Sequence, residues 1–256
     1  MIERLKARLK DPTTVMILIL VAVPILFNAV ILFPEISQPV PNLNDDAAHF
    51  MLVQRASAAL AGGENPFDHW VPELELGFPV FLYYQHLPHL TVVFLHYLLL
   101  KQVSLLTLFN AVRYILLVGF PITVFWSMRR MEFPIIASAI AAAFASLLSS
   151  DGRYGFEYDS YVFRGWGMYT QLWAMHLFFI SLACIQRLLA KGTGYVSTAL
   201  ACSALVMSHV VYAYMMAVSA VVLFLLNLRP APFQPGRGEL VDASGAAGTG
   251  PAAMQK

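Results

Sequence analysis

By type and spacing, the residues of this chain best suited to chemistry are Asp45, Asp46 and His49. They open the stretch from Asn44 to Pro88, the longest polar interval in an otherwise apolar sequence. Asp46 and His49 are three residues apart and Asp45 and His49 four, so on a helix all three converge on one face at its start. A carboxylate there can act as general base on an acceptor hydroxyl. With its neighbour it can instead hold a divalent cation such as Mg or Mn through hard oxygen ligands. His49 can supply a third ligand or a phosphate contact. The competing reading is a plain helix cap, with Asp45 at the N-cap and Asp46 in the first turn beside the positive end of the helix dipole.

The element that must position these groups reads as a short amphipathic helix ended by Gly62-Gly63. Phe50, Val53, Ser57 and Leu60 recur in it at three- and four-residue steps, a surface pattern rather than a spanning one. Around it the composition is that of a membrane. Of 256 residues, 59% are hydrophobic and 12% charged, against about 25% charged in soluble domains. Mean hydropathy is +0.66. The fold class expected is therefore all-α, a polytopic transmembrane bundle of about six spans plus a re-entrant or interfacial helix. A net charge of +1 and the absence of a basic tract interleaved with aromatics argue against a nucleic-acid partner; the bilayer itself is the partner expected. Cys184 and Cys202 lie in apolar runs without metal or redox spacing and read as small core residues.

Residues 1–12 form a basic N-terminus, expected in the cytoplasm by the positive-inside rule. A transmembrane domain over 13–229 follows, then a Pro-, Gly- and Ala-rich tail over 230–256 that cannot bury a core. Residues 14–33 are twenty without a charge, long enough to cross a core of roughly 30 Å and too long for the h-region of a signal peptide. Residues 104–128, 134–150 and 165–186 are further spans, and 87–100, short and carrying His89 and His96, suits a re-entrant or interfacial helix. Parity then places loops 35–103 and 151–164 outside and Arg129-Arg130 with Arg187 and Lys191 in the cytoplasm. Arg113 falls near the outer end of its span, snorkelling or facing a polar cavity. Runs 195–208 and 210–228 meet at His209, as two short helices or one long tilted one.

The 151–164 loop offers Asp151, Glu157, Asp159 and Arg164 among Tyr154, Phe156, Tyr158 and Tyr161. That mixture suits a sugar and a phosphate, or an aromatic belt at the interface. Trp70, Tyr83 and Tyr84 carry the same two readings. Sharing one face of the bundle, Asp159 or Glu157 is expected near Asp46 or His49. His176 inside an apolar run suggests a polar cavity. His86, His89, His176 and His209 lie on separate segments without zinc spacing, and no P-loop, GxGxxG, GxSxG or CxxC motif occurs.

A first span, an external loop opening on Asp45-Asp46 with His49, the block GFPVFLYYQHLPHL from Gly77, the turn Met128-Arg129-Arg130, then Phe163-Arg164-Gly165 and Ser208-His209, occur in order. This series resembles the polytopic GT-C-type glycosyltransferases, in particular the bacterial membrane family known as 6-pyruvoyl-tetrahydropterin synthase-related, over roughly residues 12–228. The resemblance implies an enzyme of the bacterial inner membrane that uses a polyprenyl-phosphate-linked sugar donor at the outer face. It implies Asp45 or Asp46 as base or metal ligand, and Arg164, with His49, Asp159, His209 and Tyr84, around the donor. Such enzymes have more spans and often a soluble C-terminal domain, so a truncated copy is one expectation. A non-catalytic lipid-binding or assembly subunit on the same scaffold is the alternative.

Overall fold

Asp11 starts the first helix: its carboxylate accepts the backbone N–H groups of Thr13 and Thr14 at 3.2 and 3.1 Å, and Pro12 occupies a first-turn position whose missing N–H costs nothing. In the computed structural model, which describes residues 11–37, 45–74, 76–145 and 169–228, this helix, α1, runs Pro12–Ile31. A single turn at Pro34–Ser37 follows. The remaining helices are α2 Asp45–Ala61, α3 Leu87–Leu98, α4 Leu105–Arg130, α5 Ile135–Phe144, α6 Tyr169–Lys191, α7 Tyr195–Val206 and α8 Val210–Asn227. Among the described residues the β content is one isolated bridge, Val71 to Phe78, so the fold is all-α.

Four helices, α1, α4, α6 and α8, are long and apolar enough to cross a membrane, and the outward faces of α1, α4 and α8 are apolar, as at Ile19, Leu26, Ile115, Val221 and Leu225. The expectation of about six counted runs 134–150 and 195–208 as well. Their described helices, α5 and α7, have 10 and 12 residues. The run 195–228 is two helices turning at His209, whose backbone is extended before α8 begins.

The long helices α4, α6 and α8 run parallel. Phe109 stacks on Tyr169 near their starts and Glu132 pairs with Lys191 near their ends. Likewise Gln171 faces Tyr212 and Gln186 faces Asn227. α1 runs the opposite way, its last turns bonded to the first half of α4 through Tyr114 Oη to the Ala29 carbonyl at 2.7 Å. One end of the bundle therefore carries Arg129, Arg130, Arg187 and Lys191. The other end is capped by α2, α3 and the loop between them.

Pro121 sits inside α4 and cannot donate to the carbonyl of Leu117 one turn earlier. Asn28 of α1, fully buried, donates its side-chain amide to that carbonyl at 3.4 Å. On the α6 side His176 Nε2 donates to the neighbouring Leu116 carbonyl at 2.8 Å. A carbonyl can only accept, so Nε2 carries the proton and Nδ1 accepts from the Thr123 hydroxyl at 2.7 Å. A proline is tolerated at this depth because neighbouring helices satisfy the backbone around it. His176, read from sequence as the sign of a polar cavity, is a hydrogen-bonded brace between helices.

Candidate functional site

α2 begins at Asp45 and ends at Gly62-Gly63, with Gly63 at φ 78°, as its composition predicts. Asp45 is thus the first helical residue rather than the N-cap. The buried stripe comprises Asp46, His49, Phe50, Val53 and Ala56. The predicted stripe differs at its far end, where Leu60 is 39% exposed and Ala59 packs inward. Successive helical residues point about 100° apart, so turning Asp46 inward leaves Asp45 half-buried at the surface of the cap. The two carboxylates consequently meet different surroundings.

Asp46 faces α4. Its carboxylate lies 3.0 Å from the guanidinium of Arg113, both side chains 1% exposed. Arg113 also donates to the Asn110 side-chain oxygen at 3.4 Å and lies over the Phe109 ring at 5.8 Å. Arg113, expected to snorkel or to face a polar cavity, is therefore the counter-ion of Asp46. This does not fit a divalent cation shared by Asp45 and Asp46: the Asp46 charge is already met by a guanidinium, which would repel a cation. Among the described residues, no three His, Cys, Asp or Glu side chains converge as metal ligands.

His49, one turn on, meets His89 of α3, with Nδ1 to Nε2 at 3.0 Å. Burial pushes His49 down to about 4, assisted by His209 nearby. His89 is held well below the ordinary histidine value by burial and by His49. Both rings are then neutral near pH 7, and one N–H bridges the two nitrogens. Tyr169 closes the floor, its ring 5.8 Å from His49 and 5.7 Å from His89 and its hydroxyl donating to the Pro88 carbonyl at 3.2 Å. His209 comes to this end because the chain before α8 is tied to α3, Leu87 N–H donating to the Met207 carbonyl at 3.2 Å. His209 is itself buried, edge-on to Tyr212 at 5.3 Å.

The 77–88 block builds the wall opposite α2. Val71 and Phe78 exchange backbone hydrogen bonds at 3.1 and 3.3 Å, folding the loop back on itself. Gly77 makes the fold possible. It stands at φ 95°, and a Cβ there would lie 2.3 Å from Trp70 Nε1. Next, a 3₁₀ turn at Val80–Leu82 delivers Tyr83 and Tyr84 to the rim. The space enclosed between this wall and α2 is an open pocket of about 500 Å³. Asp45, His49, Tyr83 and Tyr84 supply its polar groups, and Leu52, Leu74, Phe78 and Val80 its apolar surface. Burial raises the Tyr84 phenol above its ordinary value; the Thr170 hydroxyl opposes this and the Asp45 carboxylate adds to it.

The structure thus brings together Asp45, His49, Tyr84 and His209 at one end of the bundle, with Asp46 behind them. Asp159 and Arg164, and the predicted approach of the 151–160 loop to Asp46, lie outside the described residues. Sequence reasoning noted Arg113 and His89 without joining them to the site. The signal for Arg113 was a charge inside an apolar run. His89 had only its place in the 77–90 block. Comparison with family models, with curated proteins and with solved structures gives no match for this chain.

Proposed function

We propose that this chain is a membrane glycosyl-transfer protein that works on a polyprenyl-phosphate-linked sugar. One observation carries the reading: Asp45 places an accessible carboxylate in a pocket of about 500 Å³ beside His49 and Tyr84, at the end of the long apolar helices. Asp45 removes the proton from an acceptor hydroxyl, and the oxygen attacks the anomeric carbon. The bond from that carbon to the phosphate oxygen breaks, and the lipid phosphate leaves with the electron pair. His49 and Tyr84 line the sugar subsite, where aromatic and apolar surface meets hydroxyl partners. Asp159, Arg164 and His209 belong to the donor side in this reading. By the positive-inside rule, the Arg129-Arg130 end is cytoplasmic and the pocket faces outward, in a bacterial inner membrane.

The pocket's largely apolar surface favours a second reading, a non-catalytic lipid-binding subunit on the same scaffold. Purified full-length chain, given radiolabelled polyprenyl-phosphate sugars and hydroxyl acceptors, separates the two. The proposal expects transfer that Asp45→Asn lowers by about 10²–10⁴-fold with folding intact. Saturable binding of the labelled lipid without transfer from any donor would favour the second reading. Undiminished transfer by Asp45→Asn would overturn the role of Asp45.

A further inference from the structure

The end of the bundle opposite the pocket holds a second concavity. Trp126, Arg129, Arg130, Glu132 and Arg187 enclose about 280 Å³ where α4 and α6 finish. Arg130 and Arg187 are half-buried, and among the described residues neither Nε has a hydrogen-bond partner. The Arg130 guanidinium lies over the Trp126 ring at 5.9 Å, which holds one face of the fork and leaves its edge free. Arg129 donates to the Phe133 carbonyl, and Lys191 pairs with Glu132. Four cationic side chains thus surround one carboxylate. Glu132 registers their field: hydrogen bonding and charge from Lys191, with Arg187 adding, hold its carboxyl below the usual range.

Bare surface arginines at helix ends would satisfy the positive-inside rule without any cavity between them. Here two partly desolvated guanidinium forks converge on one space from different helices, the arrangement that recognises phosphate through paired N–H donors. We infer that this cleft binds a phosphate group at the membrane surface, carried by an anionic lipid or by a soluble phosphate. The inference stands apart from the glycosyl-transfer reading, since the cleft lies at the other end of the helices. Its position at the ends of two long apolar helices puts it at headgroup depth, where basic pockets between helices take anionic lipids.

The test uses the full chain, delipidated in neutral detergent, with native mass spectrometry as the readout. The probes are dioleoyl phosphatidylglycerol, dioleoyl phosphatidylcholine and inorganic phosphate. Each arginine is worth about fivefold in affinity for an anionic headgroup. Wild type should therefore prefer phosphatidylglycerol to phosphatidylcholine, and Arg130→Gln with Arg187→Gln should reduce that preference by about 25-fold. Inorganic phosphate bound by wild type and lost in the double variant, with phosphatidylglycerol no better than phosphatidylcholine, supports the cleft and names a soluble ligand. Equal binding of all three probes to wild type overturns the proposal, and this arm needs no variant to fold. A double variant that folds and keeps the preference overturns it as well.

Discussion

Asp46→Asn removes one charge from a buried pair and leaves the shape almost unchanged. Arg113 then keeps its charge at 1% exposure with the Asp46 carboxylate gone, and cannot shed a proton to escape. Breaking a buried pair from one side costs about 3–5 kcal/mol, on the order of 10 °C in melting temperature for a chain of this size. Asp45→Asn, on a half-buried residue in the first turn, should lose only the dipole contribution of about 0.3–1 kcal/mol. Replacing both partners by apolar residues, Asp46→Leu with Arg113→Met, should recover most of the loss, because neither charge then needs a partner. Thermal unfolding in detergent, followed by tryptophan fluorescence over wild type, these three variants and both single apolar changes, gives the coupling energy directly. Asp46→Asn melting within a degree of wild type, or a cycle without coupling, would refute the argument that Asp46 serves the fold.

Three further outcomes follow from the same geometry. His49, held at about 4 by burial against an unfolded value near 6.5, contributes stability that is complete above pH 6.5 and lost as pH falls through 4. Melting at pH 4.5 should be weaker by roughly 2–3 kcal/mol on its account, and His49→Gln should flatten that slope; an unchanged pH profile in the variant would count against the neutral pair. Gly77→Ala should destabilise the loop by at least about 1–2 kcal/mol, with a shift in Trp70 emission, since its Cβ meets the indole; a native melting curve would contradict the described turn. Asn28→Leu should cost about 0.6–1.7 kcal/mol, and less when Pro121→Ala restores the helix's own donor to the Leu117 carbonyl; equal costs in both backgrounds would show that Asn28 is not serving that carbonyl.

Local signals carried the sequence reading far. Asp45 at one end and Gly62-Gly63 at the other bracket α2 to within a residue because caps and stop signals are local chemistry, and twenty uncharged residues suffice to announce α1. Pairing between distant segments was not legible. Nothing beside Asp46 names Arg113, and nothing beside His49 names His89, because spacing rules speak only within one element. Reading Asp45 and Asp46 as a unit was natural for adjacent carboxylates. The helix parts them, since consecutive residues cannot face the same way. His176 misled for a related reason: a polar group in an apolar run marks a partner, and whether that partner is a substrate or a proline-disturbed backbone is decided by the neighbouring helix.

α7 returns the chain from the Lys191 end to His209 in 12 residues, about 18 Å of helix. Its outer face, with Val196, Leu200 and Val206 exposed, is apolar, while Gly192 and Gly194 precede it and Ser208 and His209 follow. On the far side α1 is a helix of 20 uncharged residues, about 30 Å. Set in a bilayer, the two flanks demand different thicknesses, and lipid beside α7 must thin to keep its tails against apolar surface. Thinning of that kind draws the headgroup layer inward beside α7. A lipid-borne phosphate arriving along the α7 flank would therefore meet the two ends of the bundle closer together than one arriving along α1.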